Sequence, residues 1–159
     1  MKFEKIKIIV SGGQTGADRA AFDFALENDV RIGGFVPKNR RAEDGAIGAR
    51  YPNLIETKTR DYAERTELNV RTTDATLIVS HGPLTGGSQL TARFAETHRK
   101  PCRHVDFTEE SVEEAAEASR EWLASIKCER LNIAGPRAST DPAIYEKTLA
   151  FLAALFGVK

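Results

Sequence analysis

Short β-branched runs alternate with amphipathic helical segments along this chain, and that alternation constrains the fold more than any other feature. The run at 6–10 (I-K-I-I-V) reads as a buried strand. After it, Ala17, Ala20, Ala21, Phe24 and Ala25 recur at the i, i+3, i+4, i+7, i+8 spacing of one helix face. Further strands are predicted at 31–36, 75–80, 102–106 and 131–134. Helices are predicted over 62–72 and about 89–97. Another follows Ser111, whose spacing to Glu114 fits a capping box, and a last one is capped by Asp141 and opened by Pro142. Strands separated by helices pair in parallel and are covered on both faces. The chain is therefore read as one α/β domain over 1–159, an open parallel sheet of about five strands with helices on both faces. The stretch at 38–60 fits neither period and is predicted to be an irregular functional or mobile loop.

Composition narrows the function. Lys and Arg total 23, as do Asp and Glu, so no bulk charge attracts nucleic acid or a membrane surface. No apolar run approaches the ~20 residues of a membrane span. The opening Met1-Lys2-Phe3-Glu4-Lys5 is too short and too charged for a leader peptide. Cys102 and Cys128 match no zinc spacing and are expected to pack as small apolar residues in a reducing cytoplasm. No Cys/His cluster suggests direct metal ligation.

Ligands of open α/β sheets bind beyond the carboxyl ends of the strands. Eight of the 12 glycines fall in four such loops, at 11–18, 37–45, 81–88 and 135–139. The same loops hold Lys38, Arg40, Arg41 and Arg137. A glycine turn leading into a helix N-terminus presents free N–H groups and a positive dipole end, which suits phosphate. The first loop, S-G-G-Q-T-G-A-D, is neither a Walker A motif nor G-x-G-x-x-G. Two glycine-pair loops at equivalent strand-to-helix positions point to a phosphorylated small-molecule ligand. On this reading Gly12, Gly13, Gln14, Thr15, Gly16, Gly86, Gly87 and Ser88 form the cradle, while Lys38, Arg40, Arg41 and Arg137 neutralise charge. Asp18 either complements the helix dipole or reads a ligand ring or hydroxyl. Arg65 and Asn69 share one helix face, either at the surface or facing the site. His81 follows a strand and could touch ligand, but no Ser-His-Asp or Cys-His nucleophilic arrangement can be assembled.

Several blocks closely resemble the putative molybdenum carrier family: S-G-G-Q-T-G-A-D-R-A-A (11–21), G-G-F-V-P-K-N-R-R-A-E-D-G (33–45), Y-P-N-L-I-E-T (51–57), Y-A-E-R-T-E-L-N-V (62–70), D-A-T-L-I-V (74–79), L-T-G-G-S-Q-L-T (84–91) and N-I-A-G-P-R-A-S (132–139). The resemblance implies a Rossmann-like fold, a homo-oligomer (dimer or tetramer) and molybdenum cofactor, a pterin bearing a terminal phosphate, as cargo. An apolar stripe on the last helix is the candidate interface if exposed. The wider Rossmann-like group includes cytokinin-activating phosphoribohydrolases, which carry P-G-G-x-G-T-x-x-E where this chain reads L-T-G-G-S-Q-L-T-A-R. The glycines remain and the catalytic Glu is missing, which favours a binding or carrier protein over an enzyme. A nucleotide-processing N-glycosidase and a nucleotide-ligand sensor are the other two readings.

Overall fold

The computed structural model describes residues 5–158; the leader reading of the first residues concerns 1–4 and lies outside them. The elements run β1 (Ile8–Val10), α1 (Ala17–Glu27), β2 (Arg31–Val36), a 3-10 turn (Lys38–Arg40), β3 (Arg41–Ala42), β4 (Gly45–Ala46), β5 (Leu54–Glu56), α2 (Tyr62–Arg71), β6 (Ala75–Ser80), α3 (Gly86–Thr97), β7 (Cys102–Asp106), α4 (Val112–Ile126), β8 (Arg130–Ala134) and α5 (Ile144–Phe156). Six strands form one sheet in the order β5-β2-β1-β8-β6-β7, and every pairing in it is parallel. This is a Rossmann-like α/β arrangement. Helices α1 and α4 flank α5, whereas α2 packs with α3 and on β2. Right-handed crossovers place those two groups on opposite faces.

The sheet has six strands where the sequence predicts about five. The extra one, β5, lies in the stretch expected to be irregular and pairs with β2 at the edge. Only three residues long, it shows no period-2 signal. The β3–β4 hairpin lies in the same stretch. It is held by Arg40, whose Nε donates to Ile47 O at 2.9 Å and whose Nη2 donates to Gly48 O at 2.7 Å and Tyr51 O at 3.1 Å.

Helix ends differ from expectation in two places. Helix α3 begins at Gly86, so Gly86, Gly87 and Ser88 are its first turn. Helix α5 begins at Ile144; Asp141 accepts from Ala143 N at 3.1 Å and closes a turn before the helix. Ser111 does cap α4, accepting from Glu114 N at 3.1 Å. Of the apolar stripe of α5 (Tyr145, Leu149, Leu152 and Phe156), Leu152 and Phe156 are buried in the core, while Tyr145 and Leu149 are half-buried. Cys128 is buried as expected, whereas Cys102 is exposed on edge strand β7.

A buried polar knot fixes the helical layer over β1. Asp23 of α1 accepts from Tyr51 Oη at 2.5 Å, Tyr145 Oη at 2.5 Å and Arg50 Nη2 at 2.6 Å. It ties α1 to the 50s loop and to α5. Burial and the Asp23 carboxylate push the Tyr51 phenol up to about 12. Asp23→Ala removes the acceptor of both phenol O–H groups, leaving Tyr51 Oη only the bond from Arg50 Nη2, and is expected to cost about 3 kcal/mol, read as a lower urea midpoint at unchanged m-value. A loss under about 1 kcal/mol would show that water replaces the carboxylate.

Candidate functional site

The chain leaves β1 toward β2 and returns on the other side through β6, β7 and β8, so the strand order reverses beside β1. Ligand crevices form at such switch points. A cleft of about 400 Å³ opens here, walled by the loop after β1, the first turns of α2 and α3, and the loop after β8.

The first glycine loop uses its own amides. Gln14 N donates to Asp18 Oδ2 at 3.3 Å, and Gly12 N also bonds to the Asp18 carboxylate. Gly13 N donates to Ser11 Oγ at 3.1 Å, Thr15 N to Gln14 Oε1 at 3.0 Å, and Ala17 N to Pro136 O at 3.2 Å. This loop is therefore a closed wall. Gly16, at φ +81°, lies so close to the 136–138 backbone that a Cβ would sit 2.4 Å from Pro136 O. A Cβ on Gly12 would sit 2.4 Å from Arg65 Nε, so only glycine lets that guanidinium lie on the loop.

The second glycine loop is open. No described residue accepts from Gly86 N or Gly87 N, which begin α3 and line the cleft. These are the unpaired donors of a helix N-terminus, with the positive end of the helix dipole behind them.

Two more donors lack partners. Gln14 Nε2 and Arg65 Nε are buried without an acceptor among the described residues, and both residues line the cleft. Three guanidiniums gather round the Tyr62 ring: Arg41 at 4.4 Å, Arg65 at 5.2 Å and Arg137 at 5.4 Å from its centroid. Asp18, only 6% exposed, opposes them. Burial pushes its carboxyl up to about 6, although Arg65, Arg19 and the loop amides pull the other way. Burial likewise disfavours the Arg65 charge, and Asp18 supports it.

Glu43 of the hairpin clasps the loops from outside. It accepts from Thr15 Oγ1, from Ser139 N at 3.1 Å and from Ser139 Oγ at 2.6 Å, with Arg137 Nη1 3.7 Å away. Burial opposes its charge, but these hydrogen bonds and Arg137 hold its carboxyl below the usual range.

Of the residues expected from sequence, Gly12, Gln14, Asp18, Gly86, Gly87, Ser88 and Arg137 line the cleft. Gly13, Thr15 and Gly16 support its wall from behind. Arg41 reaches the rim, stacked on Tyr62 and donating to Arg60 O at 2.9 Å. Lys38 is exposed in the 3-10 turn and Arg40 is occupied by loop carbonyls, so neither is brought to the cleft. Tyr62 and Asn132 were missed. Both members of the Arg65/Asn69 pair line the cleft, and Asn69 in addition exchanges two hydrogen bonds with the Phe35 backbone of β2. The four-residue spacing was the signal; only the packing of α2 tells the two roles apart.

The fold and site together define a Rossmann-like α/β protein with a polar, guanidinium-rich cleft at its switch point. The chain belongs to the circularly permutated YpsA SLOG family, whose model matches residues 9–156. It is similar to the crystal structure of the putative molybdenum carrier protein from Syntrophus aciditrophicus SB, with 51% identity, TM-score 0.94 and 95% of each chain covered. A structure of (E)-4-hydroxy-3-methyl-but-2-enyl diphosphate reductase aligns over 92% of this chain and 59% of its own at 11% identity; its TM-score of 0.40 carries no argument. No curated protein matches. Among the described residues, no helix is long and apolar enough to cross a membrane.

Asp18 makes a pH-dependent contribution with a defined sign. Its folded pKa of about 6 lies above the ordinary 3.8, so the folded state binds this proton more tightly. That contribution is favourable at low pH and is lost as pH rises through about 6. Between pH 4.5 and 7.5, urea unfolding of wild type should lose about 2 kcal/mol relative to Asp18→Asn, which lacks the titration. Parallel profiles would place the Asp18 pKa in the ordinary range.

Proposed function

We propose that this protein binds and carries a phosphorylated small molecule in the switch-point cleft, with molybdenum cofactor or a related pterin phosphate as cargo. The observation that carries the reading is the convergence of unpaired donors on one cleft: the Gly86 and Gly87 amides, Gln14 Nε2 and Arg65 Nε. Of these, Gln14 Nε2 and Arg65 Nε are buried, and buried donors without acceptors are costly and are expected where a ligand supplies the acceptor; Gly86 and Gly87 are exposed and offer the free amides of a helix end. Arg65 and Arg137 add charge where a phosphate would sit, and guanidinium–phosphate pairs are strong and directional. The similar protein from Syntrophus aciditrophicus supports the choice of cargo through its description. Among the described residues, no group of three or more His, Cys, Asp or Glu is placed to hold a metal ion. Molybdenum would therefore arrive within the ligand.

One observation favours a second reading. Asp18 is a buried cleft carboxyl poised to titrate near 6, a range suited to general acid or base work. An N-glycosidase acting on a nucleoside monophosphate would use it there. Release of free base from such a substrate, abolished by Asp18→Asn, would establish that activity.

The carrier reading is tested by gentle purification, denaturation, and mass spectrometry of the released small molecules, with elemental analysis for molybdenum. A stoichiometric pterin phosphate is the expected result; a nucleotide in its place would overturn the pterin cargo. Arg137→Ala should weaken binding of the identified ligand about tenfold and flatten its salt dependence, measured by calorimetry at two ionic strengths. Unchanged affinity would remove Arg137 from the site.

A further inference from the structure

The cleft does not end at α3. A second cavity of about 250 Å³ adjoins it, and Thr85, Ser88, Pro136 and Thr140 line both. The turn that opens α3 is thus shared between two compartments. On the wall of the second lies His81. Its Nδ1 is 2.7 Å from Asp141 Oδ2, and its ring packs against Phe107 with centroids 5.7 Å apart. No described residue pairs with its Nε2. The other Asp141 oxygen accepts from Ala143 N, so the carboxylate is engaged at both oxygens. A carboxylate accepting from Nδ1–H fixes the tautomer and orientation of an imidazole and leaves Nε2 as an acceptor. His81 therefore presents a positioned polar atom to a cavity where no described residue meets it.

Ser88 supplies a second polar group at this place and is only 8% exposed. It stands at the wall common to both cavities. A single phosphate held by Arg65 and Arg137 would leave His81 Nε2 without a partner. A second phosphoryl group linked to the first would engage it by donating a P–OH to Nε2 across the same helix end.

We propose that the two compartments take a ligand with two linked phosphoryl groups, a diphosphate ester. One phosphoryl group lies with Arg65 and Arg137, the other with His81 and the Ser88 hydroxyl, and Asp141 positions His81. The inference deepens the anion-binding reading above and rests on it.

Calorimetric titration with inorganic phosphate and with pyrophosphate at fixed ionic strength tests it. Wild type should bind pyrophosphate about tenfold more tightly than phosphate. His81→Gln should bring that preference close to one. Asp141→Asn should also reduce it, because the ring loses its orientation; a simple charge effect would do the opposite, since a negative charge is removed. Thermal melts establish that each variant is folded, and Asp141→Asn decides the matter if His81→Gln is not. Phosphate binding without a pyrophosphate preference, or a preference that survives His81→Gln or grows in Asp141→Asn, would overturn the two-compartment proposal alone. Binding of neither anion by wild type would overturn the anion-site reading with it.

Discussion

Between β1 and α1 the chain turns across the middle of the sheet, where backbone N–H groups have no bulk water to bind. Three side chains of the same segment supply the acceptors: Asp18 for Gly12 and Gln14, Ser11 for Gly13, and Gln14 for Thr15. Much else follows from this arrangement. The loop lies flat, so the Arg65 guanidinium can rest on Gly12. A carboxylate is held under the cleft at the cost of its own desolvation, and Arg65 becomes its counter-charge. The Gln14 side chain, engaged through Oε1, is left with Nε2 directed to no acceptor among the described residues.

The two glycine loops are alike in sequence and unlike in role. The first pairs the amides of Gly13, Gln14 and Thr15 within its own turn and contributes a surface. The second enters α3 directly, and its leading amides stay unpaired because nothing nearby caps them; the Thr85 side chain makes no cap hydrogen bond. An anion would complete that helix end as a capping side chain does elsewhere. Glycine in the first case permits close approach of other groups, and in the second leaves open space, since a Cβ on Gly86 or Gly87 would meet nothing within 4 Å.

The β3–β4 hairpin joins parts of the site that lie far apart in the chain. Glu43 bonds to Thr15 and Ser139, and Asp44 pairs with Arg19 at 3.1 Å. Arg40 stiffens the hairpin's own base by satisfying three carbonyls. The acids flanking the basic run thus act as clasps on the site loops, and of that run Arg41 alone approaches the cleft through Tyr62.

The alternation of apolar periods was enough to determine the parallel α/β sheet and the end of it at which the cleft opens. Period depends on which face of each element is buried, and burial leaves its mark locally in the residue order. The same signal located Gly12, Asp18, Gly86 and Arg137. It was silent on β5, too short for a period, and on the hairpin, held by one arginine side chain. What only the tertiary structure decided is the destination of each polar group. Arg40 and Arg41 are adjacent, yet one is bound to its own loop and the other stands at the rim. Arg65 and Asn69 share a helix face and both line the cleft, yet of the two it is Asn69 that is also bound to the β2 backbone. A hydrogen-bonding group records in the sequence what it can bind, whereas the partner it binds is set by which loops the packed sheet brings within about 3 Å.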